Sequence, residues 1–239
     1  MPTLRLRVAS GLLVVRGLIC APAAAAAPKP EADLIVRTYN LVELPARHLR
    51  TAQRTARSIF EKAGVMIAGW RDCQSRDQLS TASADDCPEG RRPNEVVVRI
   101  VRTPSSWSNQ WVLGFSYVEP HSTSSWLSTV FADQIAATAR SYHLDPGTLL
   151  GRTVAHELGH LLLASTSHSA KGLMRANWRD RSLRHHGWTD WMFSRSEASQ
   201  IRADVIARST TPGEPLAELR RAPSPVSGLL VSRSRSDRR

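Results

Sequence analysis

Apolar positions along this chain change period several times, and each change marks an element. Residues 34–39 are rich in β-branched and aromatic side chains and predict a strand. Over 45–62 the apolar residues Leu49, Ala52, Ala56, Ile59 and Phe60 recur at helical spacing, and Gly64 closes the run. Residues 65–68 predict the next strand, and strand, helix, strand in that order imply a parallel crossover. Residues 95–101 carry the clearest strand pattern of the chain, while 113–118 and 129–132 predict shorter strands. Helices are predicted over 134–142 and 146–163. The second of these opens with Asp145 as N-cap and Pro146 at the first helical position. Ser194 and Glu197 form a capping box that starts a further helix. The expected fold class is α/β, in the α+β sense. It has a mixed β-sheet, two or three helices including that at 146–163, and a small helical C-terminal part.

The two ends break this pattern. Arg5 and Arg7 precede a mostly apolar stretch over 8–19, and alanine-rich residues 21–27 offer A-x-A cleavage choices. That is a secretory leader, with cleavage expected after Ala26. The apolar run is too short and too interrupted by Arg16 to span a bilayer, so no transmembrane anchor is expected. Residues 27–209 form one expected domain. The tail 210–239, with four prolines and six arginines, predicts disorder, and residues 229–231 are an apolar island within it. Export to the periplasm or the medium follows.

Charge changes the picture less than its total implies. The formal net charge is +11. The leader and the last twenty residues carry most of it, leaving the body only mildly basic. A solvated arginine-rich surface therefore fits better than a nucleic-acid groove, and no specific nucleic acid is expected. The basic tail can contact anionic surfaces. Loss of Cys20 with the leader leaves Cys73 and Cys87. An even pair in an exported chain predicts a disulfide around a polar loop.

The chemistry lies in residues 156–160, His-Glu-Leu-Gly-His, on the apolar helix. Histidines four apart share a helix face and can close on one metal ion. Glu157 is offset around the helix, placed to hold a water rather than the metal. A catalytic zinc takes three protein ligands. Ser165, Thr166 and Ser167 favour a turn, after which His168 can return to the metal. Asp180, Glu197, His185 and His186 are the alternatives.

His156, Glu157, His160, the downstream His168 and the following Met174 resemble the zincin superfamily, closest to the metzincin style of metallopeptidase. That pattern is H-E-x-x-H-x-x-G-x-x-H with a later methionine turn. Here Leu163 stands at its glycine and Thr166 at its third histidine, so His168 arrives two residues late. The resemblance implies one Zn²⁺ on His156, His160 and His168, with Glu157 as general base and Met174 packed beneath the site. It also implies a peptide or protein substrate lying along a sheet edge. Tyr142, Arg175, His185 and His186 are candidates for an oxyanion donor. Residues 107–111 and 122–126 are polar and aromatic. They either line a substrate groove or anchor ordinary loops through their tryptophans. A non-proteolytic zincin-fold protein of the envelope is the second reading, although a site without chemistry has no use for Glu157. A metal-dependent nuclease is the third, disfavoured by the leader and by the glutamate.

Overall fold

The computed structural model of the chain describes residues 32–73, 90–107, 110–119, 124–178, 187–210 and 230–235. Six strands form one sheet: β1 (Asp33–Asn40), β2 (Met66–Cys73), β3 (Glu95–Val101), β4 (Val112–Val118), β5 (Leu127–Phe131) and β6 (Leu230–Arg235). Their order is β2-β1-β3-β5-β4-β6. The first four in that order run parallel, β4 lies antiparallel to β5, and β6 lies antiparallel to β4. The helices are α1 (Ala46–Lys62), α2 (Ala132–Tyr142), α3 (Pro146–Leu162) and α4 (Arg195–Thr210). The mixed α/β class expected from periodicity is the class found, and β1, α1 and β2 make the expected parallel crossover.

Helix α1 turns Ala52, Ala56, Ile59 and Phe60 inward, as their spacing requires. Helix α3 is apolar nearly all round and is buried along nearly its whole length. Asp145 caps it, with Oδ1 accepting from the Thr148 amide at 2.7 Å. Two glycines let α1 and α3 come close: a Cβ on Gly151 would sit 2.5 Å from the Ala52 carbonyl oxygen, and one on Gly147 2.7 Å from Thr51 Cβ. Helix α3 lies against β4 and β5, so its inner face meets the antiparallel side of the sheet.

Arg37 and Glu95 are buried between β1 and β3, paired through Nε–Oε1 at 2.9 Å and Nη2–Oε2 at 3.0 Å. Arg208 of α4 is fully buried. It donates to the Ser125 carbonyl at 2.7 Å and to the Leu161 carbonyl at 3.3 Å, tying the end of α3 to the segment before β5.

Two expectations change. Strand β2 continues past 68 to Cys73 because residues 69–73 pair with β1, although Arg71 and Asp72 disguise it as loop in the sequence. Residues 230–235, expected within a disordered tail, form β6 on the outer edge of β4. Main-chain ladder bonds make that pairing, and they need no apolar alternation to announce them. The leader 1–26, the segment 211–229 and the last four residues lie outside the described residues. No helix among the described residues is long and apolar enough to cross a membrane.

Candidate metal centre

Helix α3 places His156 and His160 one turn apart, both fully buried, with their Nε2 atoms 3.0 Å from each other. The opposite nitrogen of each ring is held by a backbone carbonyl of the returning chain. His156 Nδ1 lies 2.8 Å from the Leu173 oxygen and His160 Nδ1 lies 2.8 Å from the Ser165 oxygen. A carbonyl only accepts, so each Nδ1 carries the proton and donates it, and each Nε2 keeps its lone pair. Two lone pairs facing across 3.0 Å repel unless a cation lies between them.

His168 completes the group. Its ring stacks on His156, with centroids 5.4 Å apart, and meets His160 edge-on at 4.7 Å. The ligand atoms of the three histidines all lie within 4.8 Å of one another. These residues can hold a metal ion. Burial, aided by the nearby His168, pushes the His156 pKa down to about 3. Burial and the neighbouring His156 hold His160 well below the usual imidazole value. Both rings are therefore neutral near pH 7, the form that binds metal.

The local chain explains how His168 reaches the group without the metzincin glycine. After α3 the backbone turns through Ala164, at φ 46°, a left-handed position held by a residue other than glycine. Residues 165–168 then run back beside the helix. Gly172, at φ 78°, reverses the chain, and the Ser169 amide donates to the Met174 carbonyl at 2.8 Å. This longer return carries two of the ring-holding or ligand positions, Ser165 and His168, and its far arm supplies Leu173. Met174 is buried beneath it. A Cβ on Gly159 would sit 2.6 Å from Met174 Sδ and 2.8 Å from Phe193 Cε1, so the methionine packs onto α3 between the two histidine turns.

Glu157 is fully buried between α3 and β4. Ser116 Oγ lies 2.8 Å from its Oε2 and 2.7 Å from its backbone oxygen, with one hydroxyl proton to share between them. Gly114 leaves room for the carboxylate: a Cβ there would come within 3.0 Å of Glu157 Cγ and 2.8 Å of the Thr129 carbonyl. Sequence reasoning missed Ser116. A glycine within a strand is a signal of close approach, and Gly114 offered it. Trp178 was missed too. It is fully buried, packs edge-on against His156 at 5.4 Å, and donates Nε1–H to the Leu173 carbonyl at 3.4 Å.

The remaining candidates separate. Glu197 is occupied by its capping box, its Oε2 accepting from the Ser194 amide at 2.7 Å, and it also accepts from the Ser169 hydroxyl. It is not one of the clustered ligands. Arg175 turns to the Asp190 carbonyl and the Trp191 ring. Tyr142 packs against the core at the end of α2. Asp180, His185 and His186 lie outside the described residues, as does Cys87, whereas Cys73 is buried at the end of β2. Trp107 is an anchor, packed on Phe115 and Phe131 at 5.2 and 5.6 Å. Trp126 is exposed beneath the Arg91 guanidinium.

No protein-family model matches this chain, and no curated protein matches it. Its functional reading rests on these residues and their arrangement.

Proposed function

We propose that the chain is an exported zinc-dependent metallopeptidase of the zincin type, closest to the metzincins in its residues. One observation carries the reading. Three histidine ligand atoms lie within 4.8 Å of one another, and a buried glutamate follows the first of them on the same helix. The donor set fits zinc, which takes three imidazole nitrogens and keeps one position open in hydrolytic sites. Carbonyl-held Nδ1 atoms and Nε2 lone pairs turned toward each other suit such ligation and account for the 3.0 Å nitrogen contact. When bound, zinc supplies a polarised peptide carbonyl and a water of near-neutral pKa.

The chain's own residues supply the rest. Glu157 accepts a proton from the attacking water at its carboxylate and returns it to the departing amine. Ser116 fixes the carboxylate by donating to Oε2. His156 and His160 stay neutral through burial and are locked in one tautomer by Leu173 and Ser165. The outer edge of β4, which pairs with β6 here, carries the main-chain groups an extended peptide beside α3 would use. The leader at 1–26 supports export, and the buried Cys73 is compatible with the expected bond to Cys87.

Digestion of casein and of a peptide library by the purified full chain tests the reading. Cleavage should stop on chelation and return with added zinc, and RNA under the same conditions should stay intact. Cleavage that survives complete metal removal, or RNA degradation without peptide cleavage, would overturn it.

A further inference from the structure

Strand β4 has two edges. One pairs with β5, and the other pairs with β6, the chain's own C-terminal segment. The register sets Ser232 opposite Ser116 and Ser234 opposite Gly114, the two β4 residues that touch Glu157. Strand β6 therefore lies one strand spacing, about 4.8 Å, from the residues that hold the proposed general base. It also lies against α3, the helix of His156 and His160. Each ladder N–H and C=O of β4 serves one partner strand at a time. An extended peptide entering along this edge needs the groups that β6 already uses.

We infer that β6 is an autoinhibitory strand, a tethered occupant of the β4 edge that must leave before a peptide substrate can pair there. The inference rests on the metallopeptidase reading and adds its regulation. The tail's composition supports a releasable strand. After Leu230 and the β-branched Val231, the remaining four residues Ser232, Arg233, Ser234 and Arg235 are neither β-branched nor aromatic, so most of the strand has weak intrinsic preference. Main-chain pairing with β4 holds β6, and residues 211–229 join it covalently to the end of α4. Such a tether gives an effective concentration on the order of millimolar. A peptide arriving from solution competes with that concentration, so the tail raises KM and leaves kcat alone.

The test uses the full chain carrying Val231→Pro together with Ser232→Pro. Proline donates no N–H, and two adjacent substitutions remove a ladder donor whichever residue points toward β4. A fluorescently labelled peptide with the sequence of residues 228–237 is titrated onto wild type and variant, and binding is followed by anisotropy. Peptide hydrolysis is measured on both. The variant should bind the labelled peptide at least about 10-fold more tightly and show a KM lower by a similar factor at unchanged kcat. Hydrogen exchange should quicken across 112–118 and stay constant in β1 and β3. Equal peptide affinity in the two chains, or no binding by either, overturns the inference. If the double variant does not fold, Arg233→Pro together with Ser234→Pro, again two adjacent positions, replaces it with the same readouts. The two readings fail separately. Tighter peptide binding without hydrolysis by either chain sinks the metallopeptidase and keeps β6 as the edge occupant. Hydrolysis with identical KM does the reverse.

Discussion

His156 and His160 aim their Nε2 atoms at each other from 3.0 Å, and every neighbour fixes that aim. Leu173 and Ser165 take the opposite protons, Trp178 closes one side, and Met174 fills the space at Gly159. His168 is the third member of the histidine group that can hold a metal ion. Removing it as His168→Ala should weaken zinc by more than about 100-fold, beyond the usual cost of losing an outer partner of a ligand. Competition against a chelating dye measures this, and unchanged affinity would move the third ligand to Asp180, His185 or His186. Ser116 is a positioning residue. In Ser116→Ala the zinc content and KM should hold while kcat falls roughly 10-fold, because a hydrogen bond to a charged group is worth about 1.5 kcal/mol. A fall in zinc content instead would make Ser116 structural. His156 and His160 were legible in the sequence because their spacing on α3 sets both rings on one face. Ser116 comes from a distant strand, and the atoms of Leu173 and Ser165 that matter are backbone oxygens, which no residue identity announces.

At the scale of elements, the pair Arg37–Glu95 joins β1 to β3 away from solvent. Glu95→Ala leaves the Arg37 guanidinium buried without its counter-charge. That should cost about 3–5 kcal/mol and lower Tm by roughly 6–20 °C. Thermal melts check it, and a loss under about 1 kcal/mol would show that Arg37 finds water or another acceptor. Elements with a buried face were readable in advance. The α1 periodicity through Ala52, Ala56, Ile59 and Phe60 places that helix correctly, and the apolar residues of 95–101 place β3. Elements held by main-chain pairing were not. The second half of β2 carries Arg71 and Asp72, and β6 alternates serine with arginine after Leu230 and Val231, so neither shows a sustained pattern that burial would impose.

For the whole molecule, the buried neutral histidines link stability to pH. The folded-state value of His156 is about 3, against about 6.5 for an unfolded histidine. The fold thus depresses the pKa, and below about pH 6.5 the unfolded chain binds protons that the folded chain refuses. Stability of the metal-free protein should be level above that pH and fall as pH drops from about 6.5 toward 3. Urea melts at several pH values report it, and a flat profile between about pH 6.5 and 4.5 would contradict the buried neutral state. Zinc affinity should weaken in the same direction, since protons and metal compete for the same nitrogens. The proposed hydrolysis would draw on all of these parts. The deciding measurement is peptide cleavage by wild type and Glu157→Gln at equal, verified zinc content. The variant should retain its zinc and lose about 10²–10⁴-fold in kcat, the range expected for a general base. Equal rates in the two proteins would contradict Glu157 as the base and the metallopeptidase mechanism with it.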